Sequence, residues 1–115
     1  MKPEQFIREY GVEKARHVLS GLPNYYTHMT DDAHMFISEH NKDLDENIRK
    51  QLPSLMRLDD LKRLVESIDL VESWGGIEDL KLYDLSHSKD KPESAGYKLL
   101  HAIADYESIY GGGDV

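Results

Sequence analysis

Apolar positions recur at helical spacing along most of this chain, with glycines marking where one helix gives way to the next. Phe6, Ile7 and Tyr10 define the first such face, at the three-to-four-residue period of a helix. Pro3 suits its first turn, where a missing N–H costs nothing. Gly11 follows the last helical residue, a position glycine fills without strain. Val12, Ala15, Val18 and Leu19 then mark a second short helix, stopped by Gly21 and Pro23. Residues 1–23 thus read as a corner shaped like a helix-turn-helix.

The stretch "NYYTHMTDDAHMFIS" (24–38) admits two readings. Two aromatic, β-prone patches flank Thr30-Asp31-Asp32, which predicts a short β-hairpin near 25–37. Asp31 or Asp32 can equally cap a helix through Met35 and Phe36. The hairpin is the preferred reading. "EHNKDLDENIRKQLPS" (39–54) is highly charged and reads as a loop or an exposed helix ending before Pro53.

The clearest helix comes next. Leu58, Leu61, Val65, Ile68 and Val71 repeat every three or four residues. Asp59 or Asp60 is the expected N-cap, and the helix is expected to run to Trp74 and stop at Gly75-Gly76. Ile77, Leu80 and Leu82 continue as a shorter helix to about Leu85, so 54–85 reads as helix–Gly-Gly–helix. "SHSKDK" (86–91) is a polar linker. Pro92-Glu93 opens a last helix over 92–110, with Tyr97, Leu100, Ile103, Ala104 and Tyr106 on or near one side, closed by Gly111–Gly113.

One phrase recurs. Glu9-Tyr10-Gly11-Val12-Glu13 resembles Glu72-Ser73-Trp74-Gly75-Gly76-Ile77-Glu78, and Glu107-Ser108-Ile109-Tyr110-Gly111-Gly112 echoes both. An aromatic residue ends a helix, its ring is expected to pack back on the core, and glycine reverses the chain at φ > 0. The spacing is too irregular for a solenoid. The expected fold is a mainly α-helical small single domain over 1–115, built on helix–Gly–helix corners, with the hairpin near 25–37.

Composition narrows the function. The 115 residues allow one modest core. No apolar run approaches the ~20 residues that span a bilayer, and the N-terminus has no apolar signal-peptide core, so no membrane partner is expected. Cysteine is absent, which excludes disulfides and thiolate metal sites and fits a reducing cytoplasm. The net charge is −8. Residues 1–22 carry four bases against three acids; the rest carries ten against nineteen. A duplex-DNA binder concentrates Lys and Arg on one face, and this chain does the reverse. A plain acidic surface is the expectation; an acidic face for a basic partner, or a mimic of nucleic acid, is the sharper reading.

"YGVEKARHVLSGLP", "LDDLKRLVESIDLVESWGGIED" and "LLHAIADYESIYGGGDV", about half the chain, resemble segments found in small early-region accessory proteins of lambdoid temperate bacteriophages. The resemblance implies phage origin, expression in the host bacterial cytoplasm and a role in modulating phage development or host takeover. It implies no catalytic residues. The opening stretch also resembles the first two helices of Cro-type repressors. A DNA reader on that plan needs a third helix offering Gln, Asn, Arg or Ser/Thr to base edges. Here "NYYTHMTDDAHMF" follows Pro23, and Asp31-Asp32 repels phosphate.

Candidate chemistry is thin. His28, His34 and His40 lie six apart beside Asp31, Asp32 and Glu39, whereas zinc favours a three- or four-residue helical step. Only a hairpin approach of His28 and His34 rescues that idea, so no metal is expected. Ser86-His87-Ser88 lacks an orienting acid, and no glycine-rich phosphate loop opens a helix. No catalytic residues and no cofactor are expected. Leu99, Ile103, Tyr106 and Tyr110 step by four, three and four residues, the spacing of a helix–helix seam. They are the candidate interface of a homo-oligomer. The functional expectation is a non-enzymatic accessory protein acting on a host or phage protein by protein–protein interaction. The alternative is a helix-turn-helix DNA-binding regulator using residues 5–36.

Overall fold

The structure is a computed structural model and describes residues 2–83 and 94–111. It is mainly helical, with six α-helices and a small antiparallel sheet among the described residues. The chain divides into two compact units, Met1–Arg63 and Leu64–Val115. No described helix is long and apolar enough to cross a membrane.

The first unit opens with α1 (Pro3–Tyr10) and α2 (Val12–Ser20). Pro3 sits in the first turn of α1. Gly11 ends it with φ +89° and ψ 155° and donates its N–H to the Ile7 carbonyl at 2.8 Å. L-residues essentially never occupy that region, so glycine makes the one-residue link between two helices. Phe6 and Ile7 are each 1% exposed, and Ala15 is buried on α2. Tyr10 is not packed into the core as expected. It is half exposed and rests beside Phe6, ring centroids 4.9 Å apart.

The hairpin forms. β1 (His28–Met29) pairs antiparallel with β2 (Phe36–Ile37), His28 opposite Ile37 and Met29 opposite Phe36. Its turn is held by side chains rather than glycine. The Thr30 hydroxyl donates to Asp32 Oδ1 at 2.6 Å, the same oxygen accepts the His34 N–H at 3.1 Å, and Ala33 takes φ +59°. A helix capped by Asp31 or Asp32 is excluded. β3 (Met56–Arg57), which no pattern in the sequence announces, pairs with the other side of β1 and gives the order β2-β1-β3. Met29 and Met56 face each other in this register and are buried.

The charged stretch holds the exposed helix α3 (Glu46–Gln51), capped by Asp45 accepting from the Asn47 N–H at 2.7 Å. A 3-10 turn through Pro53 follows (Leu52–Ser54). α4 (Leu58–Ser73) begins one to two residues before the expected caps. Leu58 donates its N–H to the Thr27 carbonyl at 2.9 Å, so the strand pairing satisfies a first-turn donor while Asp59 and Asp60 lie inside the first turn. All five expected positions, Leu58, Leu61, Val65, Ile68 and Val71, are buried. The boundary between the units falls within this helix.

In the second unit, α4 stops at Ser73, and Gly76 (φ +108°) turns the chain into α5 (Ile77–Leu80). Leu80 is fully buried, but Leu82 is exposed, so the expected extension of α5 fails at its third position. Trp74 is 42% exposed and meets Tyr83 edge-on at 5.5 Å instead of entering the core. The expectations for Leu85, the 86–91 linker and Pro92-Glu93 lie outside the described residues. α6 (Ala95–Tyr110) is capped by Ser94, whose hydroxyl accepts the Tyr97 N–H at 3.1 Å. Val71, Leu80, Leu99 and Ala102 form the buried cluster of this unit, with Ile103 and Tyr106 packed against it. Ser67 on α4 donates to Asp105 Oδ2 on α6 at 2.7 Å.

Candidate functional site: an aromatic groove in the first unit

The hairpin strands are too short to cover their own side chains. Two residues per strand leave the flanking aromatic residues to find partners in the loop that follows. Tyr25 and Tyr26 contact each other with ring centroids 4.5 Å apart, and Tyr26 lies 6.0 Å from Phe36. Beside them opens a groove of about 520 Å³, lined by Tyr25, Tyr26, Met35, Phe36, Ile37 and Ser38 from the hairpin stretch and by His40, Asn41, Leu44 and Ile48 from the charged stretch. Tyr25 is 61% exposed and Met35 53%.

Polar contacts fix the two walls. Arg49 on α3 donates from Nη1 to the Glu39 carbonyl at 3.3 Å and from Nη2 to the Asn41 carbonyl at 2.9 Å. Those bonds tie the 39–41 segment to the helix that carries Ile48. The Glu39 N–H donates to Thr27 Oγ1 at 2.9 Å, which anchors the segment to β1 as well. Thr27 Oγ1 also lies 2.7 Å from Nδ1 of His28. His28 is buried, and desolvation, followed by the nearby Arg57 guanidinium, holds its pKa below the ordinary histidine value. Hydrogen bonding with Tyr26 raises the Tyr25 pKa above that of a free tyrosine, so the phenol stays neutral.

The groove therefore offers ring faces, a flexible thioether and short aliphatic chains, with few charges in its lining. The segments that carry the lining are acidic on balance: residues 25–50 hold six carboxylates, Asp31, Asp32, Glu39, Asp43, Asp45 and Glu46, against Lys42, Arg49 and Lys50. Asp32 is held well below the usual carboxylate range by the Thr30 hydroxyl and by His34, whose Nδ1 lies 2.8 Å away.

The residues singled out in the sequence fall elsewhere. The register sets His28 against Ile37, so the strands do not bring His28 and His34 together. His34 pairs with Asp32 in the turn, and His40 lies 3.6 Å from Glu39. Among the described residues no three His, Asp or Glu side chains converge as a metal site. Ser86-His87-Ser88 lies outside the described residues. Of the candidate seam, Leu99 is buried in the cluster of its own unit, Ile103 and Tyr106 pack on that cluster, and Tyr110 is half exposed beside Tyr106 at 4.8 Å. Three of the four belong to or pack on the buried cluster of their own unit. A repressor-like reader would place a third helix after Pro23, and this chain places a β-hairpin there.

Sequence reasoning missed the groove for a physical reason. Its hairpin wall was legible as two aromatic patches, but Leu44 and Ile48 are isolated apolar residues in a polar stretch. Nothing local joins them to Phe36. The chain matches no family model, and no curated protein or solved structure is similar to it.

Proposed function

We propose that this chain is a non-enzymatic accessory protein that acts by binding another protein, and that the aromatic groove of the first unit is its contact surface. The observation that carries this reading is the exposure of Tyr25 and Met35 over a groove already walled by Tyr26, Phe36, Leu44 and Ile48. Aromatic side chains supply large contact area at low entropic cost, and methionine adapts to irregular surfaces. Both types are over-represented at protein interfaces. The occupant is a polypeptide segment with an apolar side chain for the groove and Lys or Arg beside it. The acidic balance of residues 25–50, six carboxylates against three bases, complements that charge and disfavours nucleic acid phosphate. Phage origin and action in the host bacterial cytoplasm rest on the resemblance of the three segments described above.

Selection from a random peptide library against the full chain tests this reading. Enriched peptides pair an aromatic or large aliphatic residue with flanking bases. Tyr25→Ala and Met35→Ser, both at exposed positions, weaken the selected peptide about tenfold each, the size of a moderate interface anchor. A library that yields no enrichment, or peptides indifferent to both substitutions, contradicts it.

A further inference from the structure

We infer that Met35 is an oxidation-sensitive modification site, and that conversion of its thioether to a sulfoxide lowers the affinity of the aromatic groove. The switch rests on the reading of that groove as the contact surface; the modification site does not. Cysteine is absent, so methionine carries all the sulfur in the chain. Four methionines are present, and Met1 lies outside the described residues. Of the other three, Met29 is 0% exposed and Met56 1%, and the sheet register sets them against each other. Met35 is 53% exposed and lines the groove beside Tyr25, Tyr26 and Phe36. The fold thus shields two thioethers and offers a third, on the surface where a partner would meet it.

The backbone holds Met35 in place without using its side chain. Its N–H donates to Thr30 Oγ1 at 3.2 Å, and its carbonyl accepts the Thr30 N–H at 3.0 Å. A change at the sulfur therefore leaves the hairpin intact. The chemistry takes a peroxide as co-reactant. A sulfur lone pair attacks one peroxide oxygen, the O–O bond breaks as the S–O bond forms, and the other oxygen leaves as water. Sulfur is oxidised by two electrons and the peroxide is reduced by the same two. A flexible apolar side chain becomes a polar, chiral one. In the groove, a soft contact suited to ring faces gives way to an oxygen that needs a hydrogen-bond donor when a partner covers it. A dithiol reverses the step: it supplies two electrons and two protons, becomes a disulfide, and the oxygen leaves as water.

Hydrogen peroxide treatment of the full chain, followed by mass-spectrometric peptide mapping, reads the site without any ligand. Met35 gains one oxygen at least about tenfold faster than Met29 or Met56, because susceptibility follows exposure, and the far-UV circular dichroism stays that of the parent. Equal rates at the three positions overturn the site. The switch is read after the peroxide is removed, by titrating a methionine-free, library-selected peptide into the treated chain. Oxidation weakens binding about tenfold, as the loss of one moderate anchor does. Thiol-dependent sulfoxide reductases, one for each sulfoxide epimer, restore the midpoint of the untreated chain. Met35→Leu, with its own untreated affinity as the reference, does not respond to the same treatment. An oxidised chain that binds as the untreated one does, or a Met35→Leu chain as sensitive as the parent, overturns the switch. A selection that enriches no peptide refutes the contact surface and the switch with it, whereas the faster oxidation of Met35 stands or falls on the mapping alone.

Discussion

The one-residue link between α1 and α2 makes a demand that only glycine meets, and its cost can be isolated. Gly11 sits at φ +89°, ψ 155°, with open space where a Cβ would project and nothing within 4 Å. Gly11→Ala therefore adds no clash with distant atoms, and its effect comes from the backbone alone. An L-residue held in that region costs about 1–3 kcal/mol. The more restricted unfolded chain offsets roughly 0.4–1 kcal/mol of that. Net destabilisation is then up to about 2.5 kcal/mol, and about 1 kcal/mol at the middle of both ranges. Gly21 provides the internal control. It ends α2 at φ −92°, ψ −2°, with only the His17 carbonyl oxygen near, 3.9 Å from a built Cβ. Alanine fits there, so Gly21→Ala gains about 0.4–1 kcal/mol from the unfolded state. The two Gly→Ala variants move stability in opposite directions. Urea denaturation followed by far-UV circular dichroism, on both variants and the parent in one buffer, measures the difference. If Gly11→Ala proves as stable as Gly21→Ala, the corner does not need positive φ and the reasoning fails.

Three further outcomes follow from local physics. Ala33 holds φ +59° in the hairpin turn, and relieving about 1–2 kcal/mol of left-handed strain outweighs the added unfolded-state entropy, so Ala33→Gly raises the urea midpoint; a lowered midpoint contradicts this. Leu80 is fully buried in the cluster with Val71, Leu99 and Ala102, so Leu80→Ala costs about 2–5 kcal/mol, and a loss within error of zero would show that α5 does not carry the core of the second unit. Because burial lowers the His28 pKa in the fold, the unfolded chain takes up the proton first as pH falls; stability declines as pH drops below the ordinary value near 6.5, and His28→Asn flattens that slope, whereas an unchanged slope removes His28 as its source.

Most elements were legible in the sequence because each carries several repeats of its period or a glycine at its end. α4 has five apolar positions in register, and Gly11 and Gly76 sit where the corners need them. β3 was not legible. Two residues, Met56 and Arg57, carry no period, and the strand exists only because β1, 27 residues earlier in the chain, has a free edge for it. On α6 the buried residues follow the helix period rather than the heptad. A strict seven-residue repeat selects Tyr110, whereas a helix of 3.6 residues per turn drifts against that repeat and buries Ile109 instead. Aromatic residues ahead of glycine invited the opposite error. Tyr10 and Trp74 lean on neighbouring rings at the surface, where a helix that ends has no further turn to carry them inward. The groove depends on Leu44 and Ile48 meeting the hairpin across the polar stretch 38–47, so only the fold could reveal it.

The central claim is that the face formed by the hairpin and the 38–48 segment binds a basic, apolar polypeptide. Titrating a library-selected peptide into the isotope-labelled full chain, with backbone amide shifts followed by NMR, tests it most directly. The account predicts that saturable shifts concentrate at Tyr25, Tyr26, Met35, Phe36, Leu44 and Ile48 and that Tyr25→Ala moves their midpoint to about tenfold higher peptide concentration. Shifts centred on α6 or on α1 and α2, with these residues unmoved, would contradict it.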